Sequence, residues 1–365
     1  MALPRIIAAA LPRSGIMCEV NSTPLLSWYD VHRRTLPWRA RPGVVADPYH
    51  VWLSEIMLQQ TTVATVIPYF TRFLERWPTV ADLAAADLDA VLHAWQGLGY
   101  YARARHLHRC AQVVHQELHG VWPNTAAALV KLPGVGPYTA AAIAAIAFGE
   151  PAPVVDGNVM RVISRVYGIT TPLPQAQRQI YDYTQALTPR ERPGDYAQAM
   201  MDLGATVCTP RRPACGQCPW QGECWAHANG AAEHLPVKVR LQKPTRYGVV
   251  WLMHYEDCIG LIQRPPRGLL GGLWMAPSTA WEHKDAEVPL LDADPLSLAP
   301  WSCDWQLLPG VVRHTFTHFH LELTIAWGLA PQRFADVTWV PVAALEEWAM
   351  PTLMRRVLGP RKKTL

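Results

Sequence analysis

From Asp47 onward, apolar and polar residues recur with helical spacing. Asp47-Pro48 marks a helix start, with proline in the first turn, and VWLSEIMLQQ continues it with apolar residues at helical intervals. The same period runs through VATVIPYFTRFLERW, ADLAAADLDAVLHAWQGLG, ARARHLHRCAQVVHQELHG, TAAALVKLPG, PYTAAAIAAIAFG, NVMRVISRVYG and DYAQAMMDLGATVC, with Gly and Pro as breaks. Strand signals are almost absent up to about Ala228, which predicts one all-helical domain over residues 23–232. The stretch EHLPVKVRLQKPTR is basic, broken by proline and without period, so residues 233–246 read as a linker. Beyond it RYGVVWLMHY, CIGLIQR, LWMAP and HTFTHFHLELTIAWGL carry the β-branched and aromatic signature of strands. PVAALEEWAM and PTLMRRVLG are expected to close the chain as short helices, making residues 247–365 a separate α+β domain. The start, MALPRIIAAALPRSG, is apolar but short and interrupted by Arg13; it makes a poor signal peptide, and residues 1–22 read as a ragged or disordered extension.

A length of 365 residues fits the two-domain division, and a hydrophobic fraction of 50% is ample for two cores. The formal charge of +4 is only mildly basic, so contact with nucleic acid has to come from local patches. No uninterrupted apolar run is long enough for a membrane span. With no secretory signal, the expected setting is reducing and cytoplasmic, nucleoid-associated in a bacterium, with the chain a monomer.

Four of the eight cysteines crowd into CTPRRPACGQCPWQGEC: Cys208, Cys215, Cys218 and Cys224, spaced C-x6-C-x2-C-x5-C. Thiolates packed this densely suit a metal centre better than disulfides under reducing conditions. Zinc favours two close CxxC pairs, whereas here one pair is close, and a structural zinc knuckle is the alternative. The spacing resembles the iron–sulfur loop of the endonuclease III superfamily of DNA glycosylases, which implies a [4Fe–4S] cluster on these four cysteines. Arg211 and Arg212 in the loop suit phosphate contacts or plain solvent exposure. Upstream, LPGVGPYTAAAI places Gly134 and Gly136 before a helix whose N-terminal N–H groups can hold a phosphate. It resembles a helix-hairpin-helix DNA-binding motif, and the absence of a GK[ST] ending argues against a nucleotide P-loop.

Two carboxylates and a tyrosine complete the chemistry. Cleaving an N-glycosidic bond needs a proton for the leaving base and negative charge near an oxocarbenium-like sugar. Glu55 sits in the apolar stretch WLSEIML, where burial would keep it protonated; the pattern equally allows a place on a polar stripe. Asp156 precedes Gly-Asn at a helix start, where N–H groups favour its ionised form; a plain N-cap fits the same pattern.

Together LPWR, VWLSEIMLQQT, GLGYYARAR, LPGVGPYTAAAI, VVDGNVMRV and QAMMDLGATVC resemble the MutY-type adenine DNA glycosylase family over about residues 25–228. The resemblance implies Glu55 as the acid that protonates adenine at N7, Asp156 as the stabiliser or covalent partner of the sugar, and Asn158 near the site. Tyr138 stands where related lyases carry a lysine; a phenol cannot form a Schiff base, which implies base removal without efficient strand cleavage, with Tyr138 donating to Asp156 or to the sugar region. It further implies Trp38, Arg39 and Gln198 around an extruded adenine, and Gln60, Tyr100 and Met201 as intercalating residues. In the C-terminal domain RPPRGLLGGLW and RHTFTHFHLEL resemble the family's Nudix-like 8-oxoguanine-recognition domain. No Glu-rich metal box follows Gly268, which implies binding rather than hydrolysis. Phe316-Thr317-His318 matches a Phe-Ser-His lesion-reading loop with Thr in place of Ser. The implied partner is double-stranded DNA holding adenine opposite 8-oxoguanine or guanine. A thymine-glycol or mismatch-thymine glycosylase, a non-catalytic iron–sulfur DNA-binding protein and an electron-transfer protein are the competing readings.

Overall fold

A computed structural model describes residues 20–239, 242–265, 268–283 and 294–359. Most of the expected N-terminal extension and two linker residues, 240 and 241, lie outside the described residues. Helices come first: α1 (Thr23–His32), α2 (Pro48–Leu58), α3 (Val63–Arg76), α4 (Val80–Ala85), α5 (Leu88–Ala94), α6 (Ala102–Gln112), α7 (Ala126–Leu129), α8 (Pro137–Phe148), α9 (Gly157–Val166), α10 (Gln177–Leu187), α11 (Pro193–Thr206) and α12 (Trp225–Ala228). The helix starts follow from capping chemistry: the side chains of Thr62, Thr79, Asp87, Thr125 and Asp156 each accept a hydrogen bond from the N–H three residues on. Strands follow: β1 (Thr245–Tyr255), β2 (Cys258–Gln263), β3 (Trp274–Met275), β4 (Glu282–His283), β5 (Asp304–Thr315), β6 (His320–Leu329) and β7 (Thr338–Pro341), before α13 (Thr352–Leu358). Among the described residues no helix is long and apolar enough to cross a membrane.

Helices α1, α10 and the four-residue α12 fall outside the expected set. PVAALEEWAM forms one 3-10 turn, Val342–Ala344, rather than a helix. HTFTHFHLELTIAWGL is not one strand: Phe316–Phe319 is the turn of a β5–β6 hairpin, closed by Phe316 N–H donating to Phe319 O at 2.9 Å.

Packing groups these elements into two compact units, each built from two stretches of chain: Met1–Glu55 with Trp122–Val239, and Ile56–Val121 with Arg240–Leu365. In the first, α9 buries Val159, Val162 and Ile163 in a cluster with Leu25 and Tyr29 of α1 and Met200 and Leu203 of α11. Glycine allows the approach of α9 and α11: a Cβ on Gly204 would lie 2.6 Å from Asn158 Cβ and 3.2 Å from its Cα. In the second, Phe73 packs edge-on against Trp77 and Trp95. The sheet there runs β3-β2-β1-β6-β5, with β4 on β1 and β7 on β2; β1 and β6 are parallel and the β5–β6 and β1–β2 pairs antiparallel. Val250, Leu252, Leu321 and Leu323 face a core shared with Leu353, Met354 and Val357 of α13, while Val249 and Trp251 pack on the opposite face with Ala326. Burial on both faces explains the near-continuous apolar run of β1.

Gly204→Ala is expected to force α9 from α11 and lower stability by about 1–3 kcal/mol. Thermal denaturation checks this; an unchanged melting temperature would show that the helices part freely.

Candidate active site

Helix α2 carries Glu55 into the first unit with 5% of its surface exposed, between Ser54 and Ile56, which are also buried. The polar-stripe alternative is thereby excluded. Tyr138, at the start of α8, donates its hydroxyl to Glu55 Oε2 at 2.7 Å, and Met201 Sδ lies 3.6 Å from the same hydroxyl. Burial is the largest cause that brings the Glu55 carboxyl up to about 7; the Tyr138 hydrogen bond and Arg39 oppose the rise, and the charge of Asp156 adds to it. The partner of Tyr138 is thus Glu55 rather than Asp156, whose oxygens have their own donors.

Asp156 caps α9: Oδ1 accepts from Val159 N–H at 2.7 Å, and Oδ2 from the Asn158 side-chain amide at 2.9 Å. Burial raises its pKa, against these hydrogen bonds and Arg161, which favour the anion. Capping alone therefore does not set the direction; desolvation outweighs it. Arg161 does not stand out in the sequence, where it reads as a polar-stripe residue of α9. Its guanidinium donates to Asn158 Oδ1 at 2.8 Å, to Gly204 O at 2.7 Å and to Cys208 O at 2.7 Å. A continuous chain of hydrogen bonds thus joins Asp156 to the first cysteine of the loop.

Arg39 does not project free. Its fork binds Asp202 at 2.7 and 2.8 Å, and Arg34 Nε donates to Asp202 at 2.6 Å. Asp202 is fully buried and held below the usual carboxylate range by these guanidiniums against the opposing pull of burial. Trp38 is 8% exposed. Gln198 donates to Gly194 O at 3.1 Å and lines a cleft with Tyr29, Arg33 and Gly149; Trp38 and Arg39 are not among its walls.

In the glycine turn, Gly134 has φ +74°, open to a side chain only under strain, and Val135 N–H donates to Leu132 O at 3.1 Å. Gly136 caps α8 and, like Gly134, is exposed. Cys208, Cys215, Cys218 and Cys224 line one cavity with Arg165, whose Nη1 lies 3.3 Å from Cys208 Sγ. Among the described residues no three His, Cys, Asp or Glu side chains converge as for a single metal ion. Four sulfurs around a shared cavity fit a multi-iron cluster. Arg211 and Arg212 are exposed beside it.

The second unit gathers another set. Gln60, Tyr100, Phe316 and Thr317 line one cleft of about 500 Å³. Tyr100 hydroxyl and Thr317 Oγ1 share a hydrogen bond of 2.6 Å. Phe316 stacks on Phe319 and packs edge-on to His314. His318 is exposed in the hairpin turn and is not a wall of this cleft.

Three family models match: the HhH-GPD superfamily base excision DNA repair protein over residues 53–185, the iron–sulfur binding domain of endonuclease III over 208–224, and the NUDIX domain over 248–359. The adenine DNA glycosylase of Homo sapiens is 39% identical over 91% of this chain and 72% of its own. The chain belongs to the adenine DNA glycosylase family. The adenine DNA glycosylase of Mycolicibacterium smegmatis is 44% identical over 61% of this chain and 75% of its own. The solved structure of a thermostable thymine-DNA glycosylase superposes with a TM-score of 0.51 at 28% identity, covering 57% of this chain and 95% of that one. This glycosylase is therefore a DNA-binding N-glycosylase that removes adenine in base excision repair, with a [4Fe–4S] cluster. When bound, the cluster ties the cysteine loop together through its four thiolates.

Glu55 gains a proton on folding between its ordinary value of 4.5 and about 7. The stabilisation from that proton is complete below 4.5 and is lost as pH rises through 7. Removing the phenol removes a donor to the carboxylate. In Tyr138→Phe the carbon-13 titration of the Glu55 carboxyl is expected to move to higher pH; a midpoint at or below that of the parent would contradict the assigned hydrogen bond.

Proposed function

We propose that this glycosylase removes adenine paired with 8-oxoguanine or guanine by monofunctional hydrolysis, acting as a monomer on a base flipped from the duplex. The observation that carries the reading is the buried Glu55, held near a pKa of 7 and paired to a tyrosine rather than a lysine. Adenine is a poor leaving group until protonated, and an acid with a pKa near ambient pH suits that transfer. Glu55 Oε1 supplies the proton to adenine N7, while Tyr138 fixes Oε2. Asp156, oriented by Asn158 and Val159, faces the developing sugar cation as stabiliser or covalent partner.

Arg39, Trp38 and Gln198 serve adenine in this reading, Arg39 through its charge while Asp202 holds its fork. Gly134 and Gly136 approach the phosphate backbone. Gln60, Tyr100 and Met201 fill the stack, and Phe316, Thr317 and His318 read the partner base. Support for the partner-reading role comes from the shared cleft of Gln60, Tyr100, Phe316 and Thr317. The Thr317 hydroxyl, bonded to Tyr100, is available to exchange that bond for one to a purine edge.

The test is single-turnover base release from duplexes with adenine opposite 8-oxoguanine, guanine or thymine, and thymine opposite guanine, with and without alkali. Adenine release is expected opposite the first two only, with strand nicking only after alkali. Its rate should fall as pH rises through about 7, and Glu55→Gln should cost about 10²–10⁴-fold. Release of thymine, or nicking without alkali, would overturn the assignment.

A further inference from the structure

Two non-glycine residues in the second unit's cleft hold left-handed backbone conformations: Gln60 at φ 57° and Tyr100 at φ 47°. Such conformations persist only where their surroundings over-determine them. Both side chains are exposed, Tyr100 by 51%, so packing of the side chain does not impose the conformation. What the two share is Arg103. Its side chain is buried, and Nη1 donates to Ile56 O, Met57 O and Gln59 O at 2.9, 3.0 and 2.6 Å. Nη2 reaches Leu98 O, Gly99 O and Thr61 Oγ1 at 2.8, 3.2 and 3.3 Å. These acceptors flank Gln60 on both sides and immediately precede Tyr100. The guanidinium also stands 5.7 Å from the centre of the Tyr100 ring.

None of these acceptors is an anion. The charge is offset by carbonyl dipoles, including those of the last turn of α2, where a cation is favoured. A planar fork binds two separated loops in one geometry, which a point charge on a flexible stem does not.

Building on the partner-reading role above, we propose that Arg103 is a positioning residue for mispair discrimination: one buried guanidinium sets Gln60 and Tyr100 as a rigid pair that unstacks and probes the base opposite the extruded adenine. Arg103 touches neither base. It acts by fixing the backbone of the two residues that do.

The experiment uses the full chain with its cluster intact, comparing the parent with Arg103→Met, Arg103→Lys and, for chemical rescue, Arg103→Ala. Two quantities are read: the ratio of single-turnover adenine release opposite 8-oxoguanine to that opposite guanine, and the fluorescence of 2-aminopurine placed opposite the target adenine. In Arg103→Met the ratio is expected to fall about 10- to 100-fold, as for a displaced positioning group, with loss of the fluorescence rise seen on binding of the parent. Arg103→Lys should fall between the two, and added methylguanidinium should restore the ratio in Arg103→Ala but not in the lysine variant. A merely structural role would lower the active fraction equally on both duplexes and leave the ratio unmoved, overturning the proposal. If Arg103→Met does not fold, the lysine variant and the rescue carry the same comparison. A parent ratio near one would sink the mispair reading instead; the 2-aminopurine signal then decides on Arg103, whose role fails if the variants unstack the probe as the parent does.

Discussion

The guanidinium of Arg39 separates the fates of two buried carboxylates, and their protonation depends on where its hydrogen bonds go. Asp202 takes both arms of Arg39 and the Nε of Arg34 and is held ionised. Glu55 feels Arg39 only through its charge, which is too weak to offset desolvation. Had the fork closed on Glu55 instead, the carboxyl would be pulled into its anionic form and would hold no proton at neutral pH. The ion pair at Asp202 thus keeps the fork of Arg39 occupied, and the raised pKa of Glu55 survives.

A second constraint runs through Arg161. It spans the backbone of Cys208, the carbonyl of Gly204 and the amide of Asn158, which in turn orients Asp156. The close approach of α9 and α11 at Gly204 makes this span short enough for one side chain. The cysteine loop and the candidate catalytic carboxylate therefore share a frame. A hydrogen-bonded frame of this kind restricts where Asp156 can move without adding any charge directly against it.

Much of the helical content was legible because apolar runs stand between Gly and Pro breaks, and in α3 and α9 because a capping Thr62 or Asp156 precedes an amphipathic stripe. Helices α1 and α10 escaped although each carries a residue of the same buried cluster, Tyr29 and Ile180. The cysteine spacing was legible for the same reason that it works: the ligands are local in sequence. The burial of Glu55 was not, since an acid in an apolar run is compatible with either face of the helix until its neighbours are placed. Arg103, Arg161 and Asp202 were equally hidden. Their roles consist in bonds to backbone carbonyls and distant side chains, and no short pattern records those.

The two stretches that build each compact unit have a consequence for dissecting the chain. A fragment ending near residue 239 keeps α3 to α6 but removes what those helices are bonded to: the carbonyls of Trp348 and Gly271, which accept from Gln96 and Arg105, and the guanidinium of Arg355 on Gln96. Truncation at the apparent linker would thus leave Gln96 and Arg105 without these partners. Residues 56–121 thus complete part of their hydrogen bonding only with residues 166 to 259 positions further along the chain.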